Sequence, residues 1–425
     1  MTTLKRASST SAVAPLIRTR VLLIGINYAP EPTGIAPYTT GLAQFLSSRV
    51  HELQVLTGIP HYPSWEATPG FRPTRSQELA DGVRLTRLRH YVPSRQTALT
   101  RAVYEATFLA NALTAPVNRR PDLVIGITPS LGGAVAAAKI ARRHGSRLFV
   151  LIQDLMAKAS TQSGIPGGHS VSGVIQRIEG YALRRADRVG VVSNSFRAQV
   201  SAYGVPGDLI DLVPNWTHIP PVTTTRREAR ERLGWPQEKF LVVHTGNMGL
   251  KQDLGNVLEA ARMMADRSDV QFYLVGDGSQ RPHLEQAAQG LRNVTFVPPL
   301  SADDYPASLA GADVLVLNER ATVGDMSLPS KLTSYLSSRR PVLAAVDLEG
   351  AAAKELARTG GAALRVDPGA PAQFVEAVLK LQGSPERREA MASAGRLFAE
   401  RELSATHALS LMERALVRTM DQPYW

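Results

Sequence analysis

Two lysines in the second half of the chain stand in settings suited to binding a phosphate. Lys251 follows the turn 246–249, whose glycines let the backbone approach an anion and offer it N–H groups. Lys331 follows Pro329 and Ser330, which suit the start of a helix. A lysine in the first turn of a helix is disfavoured by the helix dipole unless it faces an anion. Both lysines are therefore candidates for neutralising negative charge; the alternative is a pair of solvated surface lysines.

Two more glycine-containing turns follow predicted strands. The loop 25–38 joins the first strand to the first helix, and Gly34 permits close approach of its backbone to a phosphate or a sugar hydroxyl. Gly276 and Asp277 follow a strand in the second half of the chain. Neither turn has the spacing of a dinucleotide-binding fingerprint. The alternatives are an ordinary tight turn at Gly34 and a helix-capping role for Asp277.

Two polar residues at predicted strand ends in the first half could also reach a ligand. His61 stands in a Pro-flanked loop, and Asp154 follows the strand that ends near Ile152. The alternative for both is a structural role, as a loop histidine and as a helix cap or hydrogen-bond acceptor. No cluster of His, Asp or Glu has metal-ligand spacing, and the sequence contains no cysteine. We therefore predict no protein-bound metal.

Parallel β-sheets are expected to position these residues, because short apolar runs alternate with helix-length segments throughout. The predicted strands are 21–27, 52–57, 83–88, 122–127, 147–152, 188–192 and 209–213, followed by 240–244, 270–275, 294–297, 314–317, 342–346 and 363–366. The Pro-interrupted stretch 213–222 separates the two series, and helical patterns occupy about 384–420. This pattern predicts an α/β protein with two doubly wound domains. Ligands of such sheets bind at the carboxyl ends of the strands, so the cleft between the domains is the expected site.

The positive charge is concentrated in the first half of the chain. Residues 1–220 carry 24 Lys and Arg against 12 Asp and Glu, whereas residues 221–425 carry 24 against 25. A basic half favours an anionic partner, such as a phosphorylated substrate or an acidic membrane surface, over a merely soluble basic surface. The predicted helix 100–114, which arginines flank, is compatible with lying on such a membrane or with packing on the sheet. No recognition helix or aromatic-interleaved basic platform points to nucleic acid.

The sequence shows no membrane-spanning or secretory segment. No apolar run reaches the roughly 18–20 residues that a spanning helix needs. Residues 1–19 are rich in Ser, Thr and Ala and lack an apolar core, so we expect a disordered tail there.

Taken in order, six segments of the chain resemble the family 4 glycosyltransferases. They are 27–34, 58–63, 153–154, 214–216, 246–249 and 328–331. The resemblance begins near residue 20 and is closest to the branch that assembles colanic acid and related bacterial exopolysaccharides or O-antigens. It implies a GT-B fold, in which two Rossmann-like domains face a cleft. The implied domains are an acceptor domain at 20–215, to which a last helix at 404–425 returns, and a nucleotide-sugar domain at 222–400.

The resemblance also implies an activity. Such enzymes move a sugar from a nucleotide-sugar donor, here GDP- or UDP-linked, to an acceptor with retention of anomeric configuration and without a metal or other cofactor. In this branch the acceptor would be a glycan linked to a lipid diphosphate. The protein would then be cytoplasmic and peripheral, at the anionic inner face of the plasma membrane.

The expected site combines the matched motifs with the strand-end residues above. The predicted catalytic residues are Lys251, Lys331 and Asp154. The predicted donor-binding residues are Gly34, Gly246, Asn247, Gly249, Gly276, Asp277, Pro298, Leu300, Ser330 and Ser334. The predicted acceptor residues are Tyr38 and His61.

One departure from the family pattern bears on this prediction. Many members carry two glutamates with seven residues between them, and alignment on Pro329 and Pro341 places Met326 and Ser334 at those positions. Asp325 and Glu319 are nearby carboxylates that could substitute. The missing glutamates favour an alternative, a non-catalytic GT-B interaction subunit. A GT-B nucleotide-sugar epimerase is a further alternative, which needs carboxylates and a histidine in the cleft.

Overall fold

The computed structural model describes residues 16–71, 73–80, 82–95, 97–156, 168–324 and 328–422, with side chains from residue 172 onward in the helix that starts at 168. The strands are β1 (Arg20–Ile24), β2 (Glu52–Gly58), β3 (Arg75–Ala80), β4 (Val83–Leu88), β5 (Leu123–Ile127), β6 (Arg147–Ile152), β7 (Arg188–Val191), β8 (Ile210–Leu212), β9 (Phe240–Thr245), β10 (Val270–Val275), β11 (Val294–Val297), β12 (Val314–Asn318), β13 (Val342–Ala345) and β14 (Ala363–Val366). The helices are α1 (Ala36–Ser47), α2 (Ala98–Leu113), α3 (Leu131–His144), α4 (Gly168–Leu183), α5 (Arg197–Ala202), α6 (Arg226–Leu233), α7 (Gly255–Met263), α8 (Arg281–Ala287), α9 (Tyr305–Ala310), α10 (Lys331–Ser337), α11 (Ala351–Ala357), α12 (Pro371–Gln382), α13 (Pro385–Glu402) and α14 (Ala405–Met420). Each strand found in the sequence is present, with bounds shifted by a few residues at most.

The first half of the chain folds around one eight-stranded sheet. Its strand order is β3–β4–β2–β1–β5–β6–β7–β8, and neighbours pair in parallel except β3, which runs antiparallel to β4. On the central strand β1, Leu22 and Ile24 pack into the core on one face, and Val21 and Leu23 pack into the core on the other. Both faces are therefore covered, as the uninterrupted apolar runs predict.

The edge strand β3 is missing from the sequence prediction. Arg75–Ala80 is polar and mostly exposed, so it carries no apolar run to reveal a strand. Its position at the sheet edge explains this composition, because one side of an edge strand faces solvent. An ion pair of 2.7 Å between Glu78 on β3 and Arg87 on β4 joins the two strands.

The second half folds around a six-stranded parallel sheet. Its order is β11–β10–β9–β12–β13–β14, with β9 and β12 at the centre. Apolar clusters again lie on both faces. From β9 the strand order runs outward to β10 and β11 on one side, and from β12 it runs outward to β13 and β14 on the other. The loops after β9 and β12 therefore meet at a topological switch point, which is where ligands of open α/β sheets bind.

The last helix, α14, belongs structurally to the first half of the chain. Its buried side chains include Met412 and Leu416, which pack in the same core as Val21 and Leu23 of β1. Arg418 on this helix also forms an ion pair with Asp211 on β8. The helix that follows the second domain therefore crosses back to the first.

The expected disordered tail lies mostly outside the described residues. Its end is ordered, because Leu16–Arg18 forms a short 3₁₀ helix with Leu16 buried in the core beside β1. Burial of the apolar side chain of Leu16 holds this short helix against the first-domain core. In the part of the chain that the structure describes, no helix combines the length and the apolar character needed to cross a membrane.

Candidate active site

The carboxyl ends of both sheets face one cleft of about 1700 Å³. The first domain contributes the loops after β1 and β2, one face of α2 and the start of α3. The second domain contributes the loops after β9, β10, β11 and β12 and the start of α10. This is the location that parallel-sheet topology predicts for a ligand.

Two glycine turns interlock at the second-domain wall. The N–H of Gly246 donates to the carbonyl of Val275 at 2.8 Å, and the N–H of Met248 donates to the carbonyl of Asp277 at 2.8 Å. Gly276 has a φ of +134°, and a Cβ there would lie 2.0 Å from the carbonyl oxygen of Gly246. Only glycine fits at this position, because any side chain would separate the two turns.

Lys331 enters the cleft from the first residue of α10. Its Nζ lies 3.2 Å from Nε2 of His244 on β9. Complete burial and the charge of Lys331 hold the pKa of His244 well below its usual value, so the ring is neutral and accepts from the ammonium group. Burial lowers the pKa of Lys331 to about 7, and the neighbouring carboxylate of Glu319 opposes that shift. His244 thus orients a lysine whose charge is poised near neutral pH.

Glu319 and Lys251 complete this group of charges. Burial raises the pKa of Glu319, at the end of β12, to about 7, and the charges of Lys331 and Lys251 act to lower it. The carbonyl of Lys251 accepts from the N–H of Arg320 at 2.9 Å, which ties the lysine's turn to the end of β12. The structure therefore brings Lys251 and Lys331 into the same cleft, on either side of a buried carboxyl group.

Asp154 follows strand β6 of the first domain. Burial raises the pKa of its carboxyl group to about 6, and the charge of Lys251 partly opposes the shift. Its carbonyl accepts from the hydroxyl of Thr128 at 3.2 Å. Asp154 is not among the residues that line the cleft, although it lies within electrostatic reach of Lys251.

The side chain of Gln252 already accepts hydrogen bonds from two of the predicted donor-binding residues. The N–H of Gly249 donates to Oε1 of Gln252 at 3.0 Å, and Nδ2 of Asn247 donates to the same oxygen at 3.4 Å. A bound anion would have to replace Gln252 as the acceptor of these groups. Gln252 follows Lys251 directly, but nothing in its residue type marked it as part of the site.

Most predicted donor-binding residues line the cleft. They are Gly34, Gly246, Asn247, Gly249, Gly276, Asp277, Leu300, Ser330 and Ser334. Pro298 does not line the cleft, whereas its neighbour Pro299 does. Asp277 does not cap α8, since its Oδ1 accepts from the N–H of Gly278 and Gln280 precedes the helix without a side-chain cap. Met326 and Asp325 lie outside the described residues.

The two predicted acceptor residues are buried behind the cleft wall. Tyr38 packs edge-on against Trp216, with ring centroids 5.2 Å apart, in the core beneath α1. His61 is 2% exposed; its Nδ1 lies 2.8 Å from the carbonyl oxygen of Ile59 and its Nε2 lies 3.1 Å from the hydroxyl of Tyr104. Neither side chain is among the residues that line the cleft, so the structure gives no support for a direct contact of either with the acceptor. The aromatic contacts of both residues, and the hydrogen bonds of His61, are those of core residues.

Glu31 explains why His61 points inward. Its Oε1 accepts from the N–H groups of His61 and Tyr62, at 2.8 and 2.9 Å, and its Oε2 accepts from Nδ2 of Asn27 at 2.8 Å. This buried carboxylate fixes two loops at the first-domain wall. Sequence reasoning missed it, although a glutamate between two prolines in a glycine-containing loop is a detectable signal.

The first-domain wall of the cleft has a further part that the sequence did not reveal, formed by Arg101, Trp65 and Glu105. The guanidinium carbon of Arg101 lies 4.7 Å from the ring centroid of Trp65. Glu105 accepts from the N–H of Gly132 and the hydroxyl of Ser130, both at 2.8 Å, at the start of α3. These groups place a cation and aromatic surface opposite the lysines.

Family models match both halves of the chain. Residues 33–216 match a glycosyl transferase 4-like domain, and residues 239–383 match glycosyl transferases group 1. The Escherichia coli protein named "Putative colanic acid biosynthesis glycosyl transferase WcaI" is 32% identical over 75% of this chain and 81% of its own. The chain belongs to the family 4 glycosyltransferases. It is thus a glycosyltransferase of the hexosyltransferase type, related to colanic acid biosynthesis enzymes.

Other relatives cover smaller parts of the chain. The α-D-kanosaminyltransferase of Streptomyces kanamyceticus is 32% identical over 39% of this chain and 42% of its own. A GDP-mannose-dependent mannosyltransferase of Corynebacterium glutamicum, which acts on a monoacylated phosphatidylinositol monomannoside, is 26% identical over 45% of this chain and 53% of its own.

Solved structures share the GT-B fold of this glycosyltransferase. Sucrose-phosphate synthase of Thermosynechococcus elongatus superposes with a TM-score of 0.74 at 16% identity, covering 94% of this chain and 99% of its own. Anabaena HepE in complex with UDP-glucose superposes with a TM-score of 0.68 at 15% identity, covering 94% and 100%. The predicted fold of two Rossmann-like domains with a returning last helix is confirmed.

Proposed function

We propose that this glycosyltransferase moves a sugar from a GDP- or UDP-linked donor to a glycan carried on a lipid diphosphate, with retention of anomeric configuration and without a metal. The observation that carries the proposal is the convergence of Lys251, Lys331 and the turn 246–249 in one cleft between two parallel-sheet domains. The pathway would be assembly of a bacterial exopolysaccharide or O-antigen.

The lysines supply what this reaction needs. As the bond between the sugar and the diphosphate breaks, negative charge grows on the leaving diphosphate. Preorganised cations and N–H groups that face this charge lower the barrier. Lys331, held by His244 at 3.2 Å, is already oriented before the donor binds. In this proposal Lys251 and Lys331 share the role that a divalent cation has in metal-dependent transferases.

The proposed acceptor is supported by the names of two relatives and by the positive charge of the first half of the chain. The Escherichia coli relative is named for colanic acid biosynthesis, and the Corynebacterium relative for a lipid acceptor. The excess of positive charge in residues 1–220 suits an anionic membrane surface and a lipid diphosphate. We therefore place the working enzyme at the inner face of the plasma membrane, as a peripheral cytoplasmic protein.

A panel of nucleotide-sugars tested by thermal shift identifies the donor. A true donor at a hundred times its Kd should stabilise the folded protein by about 2.7 kcal/mol. Transfer to lipid-linked acceptors is then measured with the selected donor in the presence of a chelator, and NMR of the product reports its anomeric configuration. Activity that requires added metal, or an inverted product, contradicts the corresponding part of the proposal.

The same assays separate the alternatives. Binding without transfer or donor hydrolysis would point to an interaction subunit, and isomerised donor in the absence of acceptor would point to an epimerase. Among the described residues, no three His, Asp or Glu side chains are arranged to hold a metal ion. Metal independence stays a prediction until the chelator experiment is done.

A further inference from the structure

The first-domain wall of the cleft contains an apolar trough between α2 and α4. Both helices pack against α3. Ala102, Ala106 and Leu109 of α2 form one wall, Val174 and Ile178 of α4 form the other, and Val135 of α3 lies at the floor. We call this feature the α2–α4 trough. It is continuous with the donor loops, since the same cleft includes the turn 246–249 and both lysines.

The sequence of α2 leaves small apolar residues on the side of the helix that faces the cleft. Tyr104, Phe108 and Ala112 are buried in the core, and Ala102 and Ala106 lie on the opposite side of the helix. The alanines leave an open channel where larger side chains would fill it. Val174 is 55% exposed and Ile178 is 37% exposed, so two aliphatic side chains of the trough face solvent in the free protein. An apolar patch of this kind marks a binding surface.

The cleft is also larger than one substrate requires. Sites for small ligands usually enclose about 300–1000 Å³. At about 1700 Å³, the cleft has room for a second molecule beside a nucleotide-sugar. The two walls differ in character, because the second-domain wall carries lysines and glycine turns whereas the trough is aliphatic. The second molecule must therefore be polar at one end and apolar at the other.

Among the described first-domain residues that line the cleft, Arg101 is the only lysine or arginine. Arg101 lines the cleft beside Ala102, and its guanidinium is held over Trp65 at 4.7 Å from the ring centroid. A phosphate that joins a polar head to an apolar chain would lie opposite this guanidinium. A peptide partner is disfavoured, because the aliphatic side chains of the trough offer no polar groups for its backbone and the neighbouring carboxylate of Glu105 already accepts from Ser130 and Gly132. A bilayer is disfavoured because the surface is concave.

We propose that the α2–α4 trough binds the apolar chain of a lipid phosphate, with the phosphate at Arg101 and the glycan directed toward Lys251 and Lys331. The inference rests on the proposed function and gives its acceptor a definite binding site. It replaces Tyr38 and His61, which are buried, as the acceptor-side prediction. Residues 157–167, which lie next to the trough in sequence, are mostly small and polar and so do not suit it as an occupant.

Calorimetry with two probes of different chain length tests the trough. The probes are farnesyl phosphate and butyl phosphate, each below the concentration at which it forms micelles. The wild-type protein should bind farnesyl phosphate with a stoichiometry near one and about tenfold or more tighter than butyl phosphate, because each buried methylene adds affinity. The double variant Val174→Ser with Ile178→Ser should lose most of this difference while its affinity for butyl phosphate is unchanged.

Two further variants make the test specific. Leu397→Ser alters an equally exposed aliphatic residue on α13, outside the cleft, and should bind both probes as the wild type does. Ala106→Trp places an indole in the trough and should weaken farnesyl phosphate binding alone. Equal affinities for the two probes in the wild-type protein, or an unaltered difference in the double variant, would overturn the inference.

The outcome can be told apart from failure of the proposed function. Nucleotide-sugar binding is measured in parallel, and if no nucleotide-sugar binds, the proposed function fails whatever the trough does. Sedimentation with phosphatidylglycerol vesicles tests the alternative that this surface binds a bilayer. If the double variant loses sedimentation with vesicles while the wild type shows no preference for farnesyl phosphate, the face docks on a bilayer and the single-chain site is wrong.

Discussion

At the scale of single residues, the cleft contains ionisable side chains whose pKa values lie close to neutral pH. Lys331 and Glu319 each have a pKa of about 7, reached from opposite directions because burial disfavours both charged forms. His244 is kept neutral and orients Lys331. The proposed diphosphate site therefore contains two groups, Lys331 and Glu319, that are each only partly charged near pH 7.

Replacing either cleft lysine by alanine should remove catalysis while leaving the fold intact. In the proposed reaction each ammonium group faces the charge that develops on the leaving diphosphate, so Lys251→Ala or Lys331→Ala should lower kcat/KM by about 10²–10³-fold. Steady-state kinetics with the donor selected by thermal shift gives the measurement. Lys380→Ala, which removes an exposed lysine on α12, is the matched control. Near-normal activity in both cleft variants would show that neither lysine stabilises the transition state.

Donor affinity should fall as the pH rises through about 7. The pKa of Lys331 is lowered from 10.5 to about 7, so in the free protein its positive charge is present below pH 7 and lost above it. Glu319, raised to about 7, becomes negative over the same interval and adds repulsion of the same sign. The Kd of the nucleotide-sugar should therefore increase above pH 7, and binding should take up a proton, seen as a calorimetric enthalpy that depends on the buffer.

Lys331→Arg is the control for this pH dependence. A guanidinium stays charged throughout the range, so the increase in Kd above pH 7 should become smaller. His244, Glu319 and Lys251 also face this position, and Glu319→Gln tests the share that the carboxyl group contributes. A Kd that is constant from about pH 6 to 9 in the wild type would contradict the assignment of Lys331 to the diphosphate.

Sequence patterns predicted the charged residues of the cleft better than the wall that faces them. Lys251 and Lys331 are recognisable because each follows a turn whose composition already suits an anion. Tyr38 and His61 carry no such signal, since the direction of their side chains is set by contacts with residues that are distant in sequence, Trp216 and Glu31. Gln252 and His244 were missed because their roles depend on distances that only the folded chain provides.

At the scale of elements, the two glycine turns work as one unit. Three backbone hydrogen bonds join the turn after β9 to the end of β10 and the turn that follows it, and Gly276 allows their contact. The strands beneath were predictable because each is an apolar run covered on both faces. The edge strand β3 was not, because half of its surface faces water and its sequence is polar.

Gly276→Ala should weaken donor binding more than its backbone strain alone explains. A methyl group would lie 2.0 Å from the carbonyl oxygen of Gly246 and would displace the turn that carries Lys251. A shift of about 1 Å in such a turn can lower activity by about 10²-fold. The comparison is Gly290→Ala, which also has a positive φ, of +86°, but has nothing within 4 Å of the added methyl group.

The two glycine variants are compared by chemical denaturation and by donor Kd. Gly290→Ala should lose only about 1–2 kcal/mol of stability, from its left-handed backbone, and keep the donor Kd of the wild type. Gly276→Ala should lose more stability and bind donor poorly. Equal effects of the two variants would mean that contact between the turns does not position the site.

At the scale of the whole molecule, α14 makes the first domain depend on the end of the chain. Leu416 is fully buried against the first sheet, together with Met412 and Ala415. Substituting Leu416 by alanine creates a cavity in that core, which should destabilise the first domain by about 2–5 kcal/mol. The second domain, with its own apolar clusters, should be affected little.

Two readouts follow the domains separately in Leu416→Ala. Proteolysis under native conditions should cleave the first domain faster than in the wild type. The stabilisation given by a nucleotide-sugar should persist, because the residues proposed to bind it lie mainly in the second domain. Leu397→Ala, at an exposed position on α13, should change neither readout. A uniform loss of protection across the chain would indicate that both domains unfold as one unit.

The position of α14 also bears on how the protein matures during synthesis. Residues 16–215 leave the ribosome long before residues 405–420. The apolar surface of the nascent first lobe on which α14 packs therefore stays exposed while the second lobe is being translated. Translation proceeds at roughly 5–20 residues per second, so the interval lasts on the order of ten seconds or more. Aggregation during that interval, rather than the final free energy of unfolding, would then limit the yield of active enzyme, and chaperones that shield this surface would raise it.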